Sequence, residues 1–203
     1  MQNTGYRIMR TARIERKTRE TEILLQLNLD EGGPSVVDTG IGFMDHMLDL
    51  MTAHGLMKLE LKARGDREVD DHHTVEDLGI CLGQAFNKAL GSRKGIKRYG
   101  EAIIPMDEAM ARVVIDLSNR PFLAYRVAFP KGTSGTFDMG LVKEFFRALT
   151  IHAGMTLHID LLAGEEPHHI SEAIFKGFGR AMDQAVTVEE RLAGILPSTK
   201  GVL

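Results

Sequence analysis

The pattern D-D-H-H-T-V-E-D at residues 70–77 is followed 96 residues later by E-P-H-H-I-S-E-A at residues 166–173. In each copy the first of two adjacent histidines stands four residues ahead of a glutamate. Imidazole and carboxylate are common metal ligands, so the repeat indicates two similar metal centres made by two similar half-domains. One copy alone is explained equally well as a polar helix start, with carboxylates near the positive end of the helix dipole.

The spacing within each copy predicts how the ligands divide between ions. Both copies run into helical sequence, and residues i and i+4 share a helix face, so the first histidine can join the glutamate on one ion. The second histidine points about 100° away around a helix of 3.6 residues per turn and is expected to reach a different ion. The predicted pairs are His72–Glu76 and His168–Glu172, with His73 and His169 as the lone histidines.

Composition excludes several classes of protein. A chain of 203 residues with 43% hydrophobic and 26% charged residues is typical of a globular protein, and a net charge of −3 indicates no nucleic-acid or anionic membrane partner. The start M-Q-N-T-G-Y-R-I-M-R has no signal-peptide core, and no apolar run is long enough to span a membrane. Cys81 is the only cysteine, so no internal disulfide can form, and a reducing, cytoplasmic setting is expected.

The order of predicted elements also repeats. The segment E-G-G-P-S at 31–35 breaks the chain, and Gly55 is expected to end a helix. Alternating patterns predict strands at 6–16, 21–30, 56–62, 101–105, 109–118, 121–128 and 155–162, and helical spacing predicts helices at 40–55, 74–90, 138–153 and 169–187. These elements predict an α+β fold of two β-β-α-β-α halves, each a sheet covered by helices, with an added strand or two around the join. The chain 1–203 is expected to form one domain, with halves at about 6–95 and 99–190 and a tail at 191–203.

A displacement of 98 residues aligns the first helix of each half and places His46 on Glu144. Each half thus offers one more donor, although His152, on the same helix as Glu144, competes for the role; Glu144 is preferred because His152 aligns with His54. The predicted sets are His46, His72 and Glu76 with His169, and Glu144, His168 and Glu172 with His73. Without thiolates, these sets favour six-coordinate manganese or iron over structural zinc, although zinc and nickel also accept imidazole.

Four motifs in order resemble the imidazoleglycerol-phosphate dehydratase family. They are T-G-I-G-F-M-D-H-M-L-D-L-M-T-A-H-G (39–55), D-D-H-H-T-V-E-D-L-G (70–79), D-L-S-N-R-P (116–121) and E-E-P-H-H-I-S-E-A-I-F-K-G-F-G-R-A-M (165–182). The resemblance covers nearly the whole chain. It implies a duplicated fold like that of the second domain of ribosomal protein S5, two manganese ions per active site, and a shell of twenty-four subunits built from trimers.

The family reaction removes water from D-erythro-imidazole glycerol phosphate to give imidazole acetol phosphate in histidine biosynthesis. The C–H bond that breaks is not next to a carbonyl, so the imidazole ring is the available electron sink. Bound as imidazolate between two cations, the ring can expel the hydroxyl through a diazafulvene-like intermediate, with the ions as Lewis acids and template. The resemblance implies catalytic roles for Glu20, Glu76 and Glu172, and substrate contacts from the ligands His46, His72, His73, Glu76, His168 and His169.

The proton-transferring carboxylate is less well specified. The resemblance points to Glu20, but Glu20 and Glu22 stand two apart on what reads as a strand and would share a face. Without the family, a solvated edge-strand charge explains either residue better.

The substrate's phosphate needs cationic partners, for which arginine and lysine are usual. The candidates that match family positions are Arg98, Arg120, Lys176, Ser198 and Lys200, and His54 could add a donor. For any one of them a surface charge is the commoner explanation. Residues 196–200 show no apolar period, so the tail is expected to lack order in the free protein, and the resemblance makes it a closing lid.

Two positions depart from the family pattern. Glu144 stands where many members have histidine, which would make the second metal site more anionic. Leu50 stands where many have glutamine, so one phosphate contact is expected to be absent.

Two other functions use the same residues. A two-metal phosphoesterase would use the same constellation and release free phosphate. A non-catalytic metal-binding shell protein would keep the ligands but would not need Glu20, Arg98 or Lys200.

Overall fold

The computed structural model describes residues 9–130, 135–192 and 194–203, and the predicted strand at 6–16 begins outside this part. The first half contains β1 (Thr11–Lys17), β2 (Thr21–Asn28), β3 (Val36–Asp38), α1 (Gly42–His54), β4 (Lys58–Gly65) and α2 (His72–Leu90). The second half contains β5 (Tyr99–Met106), β6 (Ala109–Asp116), β7 (Phe122–Arg126), α3 (Gly140–Ala153), β8 (Thr156–Ala163) and α4 (Pro167–Val186), followed by a short 3-10 helix, Glu190–Leu192.

The two halves have the same sheet topology. The strand orders are β1-β2-β4-β3 and β5-β6-β8-β7, and in each sheet the last strand is parallel to its neighbour while the other pairs are antiparallel. The predicted duplicated α+β fold is confirmed. The strand β3 was not among the predicted elements, because three residues are too few to show an alternating pattern.

The strands turn one face toward a shared core because their apolar residues alternate. In β2, Ile23, Leu25 and Leu27 are buried while the residues between them are exposed. The corresponding strand β6 buries Val113 and Ile115 in the same way. Full burial of each such side chain stabilises the fold by roughly 1.5–3 kcal/mol.

The four helices lie between the two sheets and pair across the halves. The helix α2 packs on β1 and β2, and α4 packs on β5 and β6, while α1 packs on α4 and α2 packs on α3. Glycines permit the close approach: a Cβ on Gly179 would lie 2.3 Å from the Met51 carbonyl oxygen, and one on Gly83 would lie 2.6 Å from that of Leu149. These two contacts correspond in the two halves.

Each histidine pair begins a helix. The Asp70 carboxylate accepts from the His72 N–H at 2.7 Å, and the Glu166 carboxylate accepts from the His168 N–H at 2.6 Å, with Pro167 at the first position of α4. These contacts satisfy N–H groups that lack partners within the helix. The helices α2 and α4 therefore start two residues earlier than predicted and carry both pairs at one end.

Candidate metal centre and active site

Three ligand atoms converge in the α1–α4 cluster, which we define as His46, His168 and Glu172. Their ligand atoms all lie within 4.8 Å of one another. The Nε2 atoms of His46 and His168 lie 3.3 and 3.2 Å from the same carboxylate oxygen, Oε1 of Glu172. Two imidazole nitrogens and one carboxylate oxygen, facing a common point, form a donor set that a divalent transition-metal ion accepts.

The carboxylate of this cluster is held ionised. Burial opposes ionisation of Glu172, but hydrogen bonds from Lys176 and His46 outweigh it and lower the pKa of the carboxyl group. Lys176 Nζ lies 2.7 Å from Oε2 of Glu172, on the side away from the histidines. The ring of Phe43 meets the His168 ring edge-on at 5.6 Å, which helps to fix the imidazole plane.

The second group, the α2–α3 cluster, consists of His72, Glu76 and Glu144. His72 Nε2 lies 3.6 Å from Oε2 of Glu76. Arg147 bridges the two carboxylates, donating from Nη2 to Glu76 at 3.0 Å and from Nε to Glu144 at 2.7 Å. The hydrogen bond to Glu144 raises the pKa of the guanidinium. The cluster therefore has one imidazole and two carboxylates, with a cation of the protein between them.

The predicted grouping of the ligands is wrong in one respect. The predicted sets group each first-helix donor with the His–Glu pair of its own half. In the structure His46 lies beside Glu172, and Glu144 shares Arg147 with Glu76. The reason is that helices pair across the halves, which local spacing does not reveal. The sets within the chain are His46–His168–Glu172 and His72–Glu76–Glu144, in place of His46–His72–Glu76 and Glu144–His168–Glu172.

The lone histidines face carboxylates elsewhere in the chain. His73 Nδ1 lies 3.0 Å from Oδ2 of Asp66, and His169 Nδ1 lies 2.7 Å from Oε2 of Glu108. These hydrogen bonds raise the pKa of both imidazoles, and the bond from His169 is the main cause that lowers the pKa of Glu108 to about 2. In both rings Nδ1 is thus held by a carboxylate, as is common for one ring nitrogen of metal-binding histidines.

The structure separates Glu20 from Glu22. Glu20 lies in the turn before β2, with Oε2 3.9 Å from Nδ1 of His73, whereas Glu22 lies in the strand and pairs with Lys17 at 2.9 Å. The expectation that both residues lie on one strand face is therefore wrong, because the strand begins at Thr21. Glu20 is the carboxylate that borders the histidines.

One group of phosphate candidates lies beside the α1–α4 cluster. Lys176 is one helical turn beyond Glu172, and His54, at the end of α1, faces it across the helix pair. Burial is the main cause that lowers the pKa of His54, and the charges of Lys176 and Arg180 lower it further. Lys176 and Arg180 therefore bring positive charge near the predicted metal ligands, with His54 beside them.

The other candidates lie at the far end of α4. The Arg98 N–H donates to the Ala185 carbonyl at 2.9 Å, which is about 25 Å from His168 along a helix that rises 1.5 Å per residue. The Arg98 side chain binds Asp116 at 2.6 Å, and Arg120 lies 3.6 Å from the same carboxylate. A small phosphate ester bound at the α1–α4 cluster does not extend this far within one chain.

The C-terminal tail is also held at this far end. The Arg98 guanidinium donates to the Pro197 carbonyl at 2.7 Å, the Gly95 N–H donates to Ile195 at 2.9 Å, and Ser198 Oγ donates to the Val202 carbonyl at 2.8 Å. The exposed Lys200 follows this turn. The expectation that the tail lacks order in the free protein is wrong, because polar anchors, rather than an apolar period, hold it.

Comparisons with known proteins identify the family of the chain. A family profile described as imidazoleglycerol-phosphate dehydratase matches residues 39–182. The chain belongs to the imidazoleglycerol-phosphate dehydratase family. It is 56% identical to the imidazoleglycerol-phosphate dehydratase of Thiobacillus denitrificans and 55% identical to that of Azoarcus sp., each time across 96% of this chain and 100% of the relative.

Solved structures of dehydratases from the same family share the fold. The crystal structure of the enzyme from Staphylococcus aureus is 43% identical, with a TM-score of 0.81 across 88% of this chain and 99% of that one. The structure from Pyrococcus furiosus is 36% identical, with a TM-score of 0.82 across 94% of this chain and 100% of that one. None of the helices in the described part of the chain is long and apolar enough to cross a membrane.

Four residues around the dehydratase-family site escaped prediction: Asp66, Glu108, Arg147 and Arg180. Arg180 stands four residues after Lys176, a helical spacing that could have revealed it, and Arg147 stands three after Glu144. Asp66 and Glu108 lie in loops and give no sequence signal.

Two uncertain positions have clear surroundings. His152 packs beside Gly83, two turns along α3 from Glu144, whereas Glu144 is linked to Glu76 through Arg147. Leu50, at the position where glutamine is common in the family, is partly buried against the core and offers no polar group.

Proposed function

We propose that the protein is a lyase that dehydrates imidazole glycerol phosphate to imidazole acetol phosphate in histidine biosynthesis. Membership of the dehydratase family, across nearly the full length of curated relatives, supports the reaction. The observation that carries the assignment to a site is the convergence of His46, His168 and Glu172 within 4.8 Å. A cytoplasmic location goes with this proposal, since the single cysteine is buried and free.

The proposed cofactor is a pair of manganese ions. The α1–α4 cluster would hold one ion and the α2–α3 cluster the other, and both donor sets consist of imidazole and carboxylate without thiolate, which suits manganese. When bound, the ions would supply Lewis acidity to the substrate's imidazole ring. The nearby Lys176, with His54 and Arg180, would bind the phosphate and so orient the ring toward the clusters.

Glu20 is the proposed group that moves the proton. It lies on an exposed turn next to His73, so it can face a substrate held by the histidines while remaining outside both clusters. A carboxylate in that position can take a proton from carbon and return it to the departing hydroxyl. Glu76 and Glu172 are the alternative proton-transferring groups, although both carboxylates belong to the clusters of proposed metal ligands.

The active site is proposed to form between subunits. His73 and His169 lie outside the two in-chain clusters, and Arg98, Arg120, Ser198 and Lys200 lie at the far end of α4 from the α1–α4 cluster. Each group would complete the site of a neighbouring copy in a shell of twenty-four subunits built from trimers. A chelator should then reduce the assembly to smaller species, and Mn²⁺ should restore it; light scattering that shows an unchanged particle after verified metal removal would contradict this.

The reaction is tested by following the substrate with the metal-replete protein. We expect the dehydrated product to appear with its phosphate retained. Release of inorganic phosphate would instead identify a phosphoesterase, and metal binding with no turnover would identify a non-catalytic shell protein. Glu20→Gln should keep the metal content and reduce kcat by about a hundredfold or more, because general acid–base catalysis contributes factors of that size.

A further inference from the structure

The two halves differ where the second strand of each half packs on its last helix. In the first half the polar residues Thr21, Thr74 and Asp77 are buried there. In the second half the corresponding residues are Ala109, Ile170 and Ala173. The correspondence follows from position: Thr21 and Ala109 begin β2 and β6, and the other residues stand at matching places after the histidine pairs.

Asp77 is a buried carboxylate with two partners. The residue is 8% exposed. Thr21 Oγ1 donates a short hydrogen bond to Oδ2 of Asp77, and Arg16 Nη2 lies 2.9 Å from Oδ1. Burying a charged carboxylate costs free energy that such contacts only partly offset. The second half builds the same backbone with alanine at both places, so the fold does not require this buried charge.

The hydrogen bonds continue from Asp77 to the turn that carries Glu20. Thr18 Oγ1 lies 3.2 Å from Thr21 Oγ1, whose own proton goes to Asp77, so Thr18 is the donor of that pair. The same Thr18 oxygen accepts from the N–H groups of Glu20 at 3.0 Å and Thr21 at 2.9 Å. The backbone of the turn is thereby attached to a buried group on α2.

The turn is also attached to the loop that supports His73. The Asp66 N–H donates to the Glu20 carbonyl at 3.0 Å, while the Asp66 carboxylate binds His73. Both ends of the Glu20 peptide are therefore fixed: the N–H by Thr18 and the carbonyl by Asp66. The remaining freedom of Glu20 lies in its side chain, which is 54% exposed.

The corresponding turn in the second half is held differently. Glu108 itself accepts from the N–H groups of Glu165 and Glu166 at 3.3 and 2.9 Å and also binds His169. This carboxylate is fully used in supporting its turn and its histidine. In the first half Asp77 and Thr18 support the turn instead, which leaves the Glu20 carboxylate available for chemistry.

We propose that Asp77 is a positioning residue for Glu20, acting through Thr21 and Thr18 to hold the turn at the depth where the Glu20 carboxylate reaches the substrate. This inference rests on the proton-transfer role proposed above for Glu20. Asp77 follows the predicted ligand Glu76 directly, so a change at Asp77 could also act through the metal. Thr21, which belongs to β2 and contacts no predicted ligand, gives the cleaner test.

The main test is Thr21→Val, which removes the donor while preserving the shape of the side chain. We expect kcat to fall by about tenfold to a hundredfold, since small displacements of a reacting group have effects of that size. The KM and the metal content should stay unchanged, because phosphate and metal contacts are untouched. Thr21→Ser, which restores the hydroxyl, should recover most of kcat; failure to recover would contradict the proposal.

Thr74→Val is the matched control. Its Oγ1 is buried, lies like the methyl group of Thr21 beside Gly65, and has no hydrogen-bond partner among the described residues. The corresponding residue of the second half is Ile170. We expect kcat within about twofold of the parent, as for changes that remove no interaction. An equal loss of kcat in Thr74→Val and Thr21→Val would assign the effect to general packing and overturn the proposal.

The decisive measurement combines Thr21→Val with Glu20→Gln. If Thr21 acts through Glu20, the double variant has the same kcat as Glu20→Gln alone. A further loss of tenfold or more in the double variant would overturn the proposal. Should Glu20→Gln itself retain full kcat, the proton-transfer role of Glu20 would fail, whereas a low kcat in Glu20→Gln with a normal kcat in Thr21→Val would remove only the positioning role of Asp77.

Discussion

The α1–α4 and α2–α3 clusters occupy equivalent places in a duplicated fold, yet their donor sets differ in charge and in the cation that contacts them. The first has two imidazoles and one carboxylate, and Lys176 contacts that carboxylate from the side. The second has one imidazole and two carboxylates, and Arg147 lies between the two acids. The duplicated backbone therefore determines the positions of the candidate ligands. Single side chains determine whether a cation of the protein lies between those ligands.

The cations that contact the two clusters, Lys176 and Arg147, lie on different helices. Lys176 lies on α4, and the corresponding residue in the first half is Ile80. Arg147 lies on α3, and the residue that aligns with it in the first half is Asp49. The cation of each cluster is therefore not part of the duplicated pattern. We infer that the α1–α4 cluster is arranged for metal in the free chain, whereas metal at the α2–α3 cluster must displace a guanidinium.

The largest expected effect comes from removing the matched carboxylates, in Glu172→Gln and Glu76→Gln. Each variant should lose about half of the bound metal, and turnover should fall by about a thousandfold, since Lewis-acid stabilisation is worth several kcal/mol. The ion that remains in Glu76→Gln, held by the α1–α4 cluster, should bind more tightly than the one that remains in Glu172→Gln. Metal analysis and titration of each variant measure this, and the reverse order of affinity would break the comparison.

The next effect tests the equivalence of the two helix pairs. Gly179→Ala and Gly83→Ala would each place a Cβ within 2.6 Å of a carbonyl oxygen on the partner helix. We expect both to lower the free energy of unfolding by about 1–3 kcal/mol, as overpacking does. Gly42→Ala, where a Cβ would meet nothing within 4 Å, is the control and should change stability by less than about 0.5 kcal/mol. Chemical denaturation gives these values, and an effect in only one helix pair would show that the pairs are not equivalent.

Sequence patterns predicted those features that depend on neighbours along the chain. The alternation around Ile23 and Leu25 gave a strand, and the repeated H-H-x-x-E pattern gave ligand pairs on helix starts, because both follow from local geometry. The contact of His46 with Glu172 did not follow from the sequence, since it depends on which helix faces pack across the halves. The carboxylates that bind His73 and His169 were not predicted either, because Asp66 and Glu108 lie in loops with no periodic pattern.

Glu144 shows what alignment of the two halves predicts and what only the side-chain contacts of the folded chain reveal. Alignment of the halves correctly identified it as the counterpart of His46, since the helices α1 and α3 are equivalent. The same alignment could not show that a carboxylate there would attract Arg147, three residues along the helix, into the space between the acids. The hydrogen bonds of Arg147 therefore depend on a carboxylate at position 144 as well as on Glu76.

The smallest expected effect concerns Arg147 itself. In Arg147→Gln the competing cation is removed, so Mn²⁺ should bind the α2–α3 cluster more tightly, by about threefold to tenfold, since an ionic hydrogen bond this exposed is worth little more than about 1 kcal/mol. The metal-free protein should lose less than about 1 kcal/mol of stability, because Arg147 is 45% exposed and solvent screens its ion pairs.

Lys176→Gln is the matched control: Lys176 binds the carboxylate oxygen Oε2 of Glu172, whereas the histidines face Oε1, so manganese affinity at the α1–α4 cluster should change less. Calorimetric titration in a Glu172→Gln background isolates the α2–α3 cluster. Weaker binding in Arg147→Gln would mean that the guanidinium orients Glu76 and Glu144 for the ion instead of competing with it.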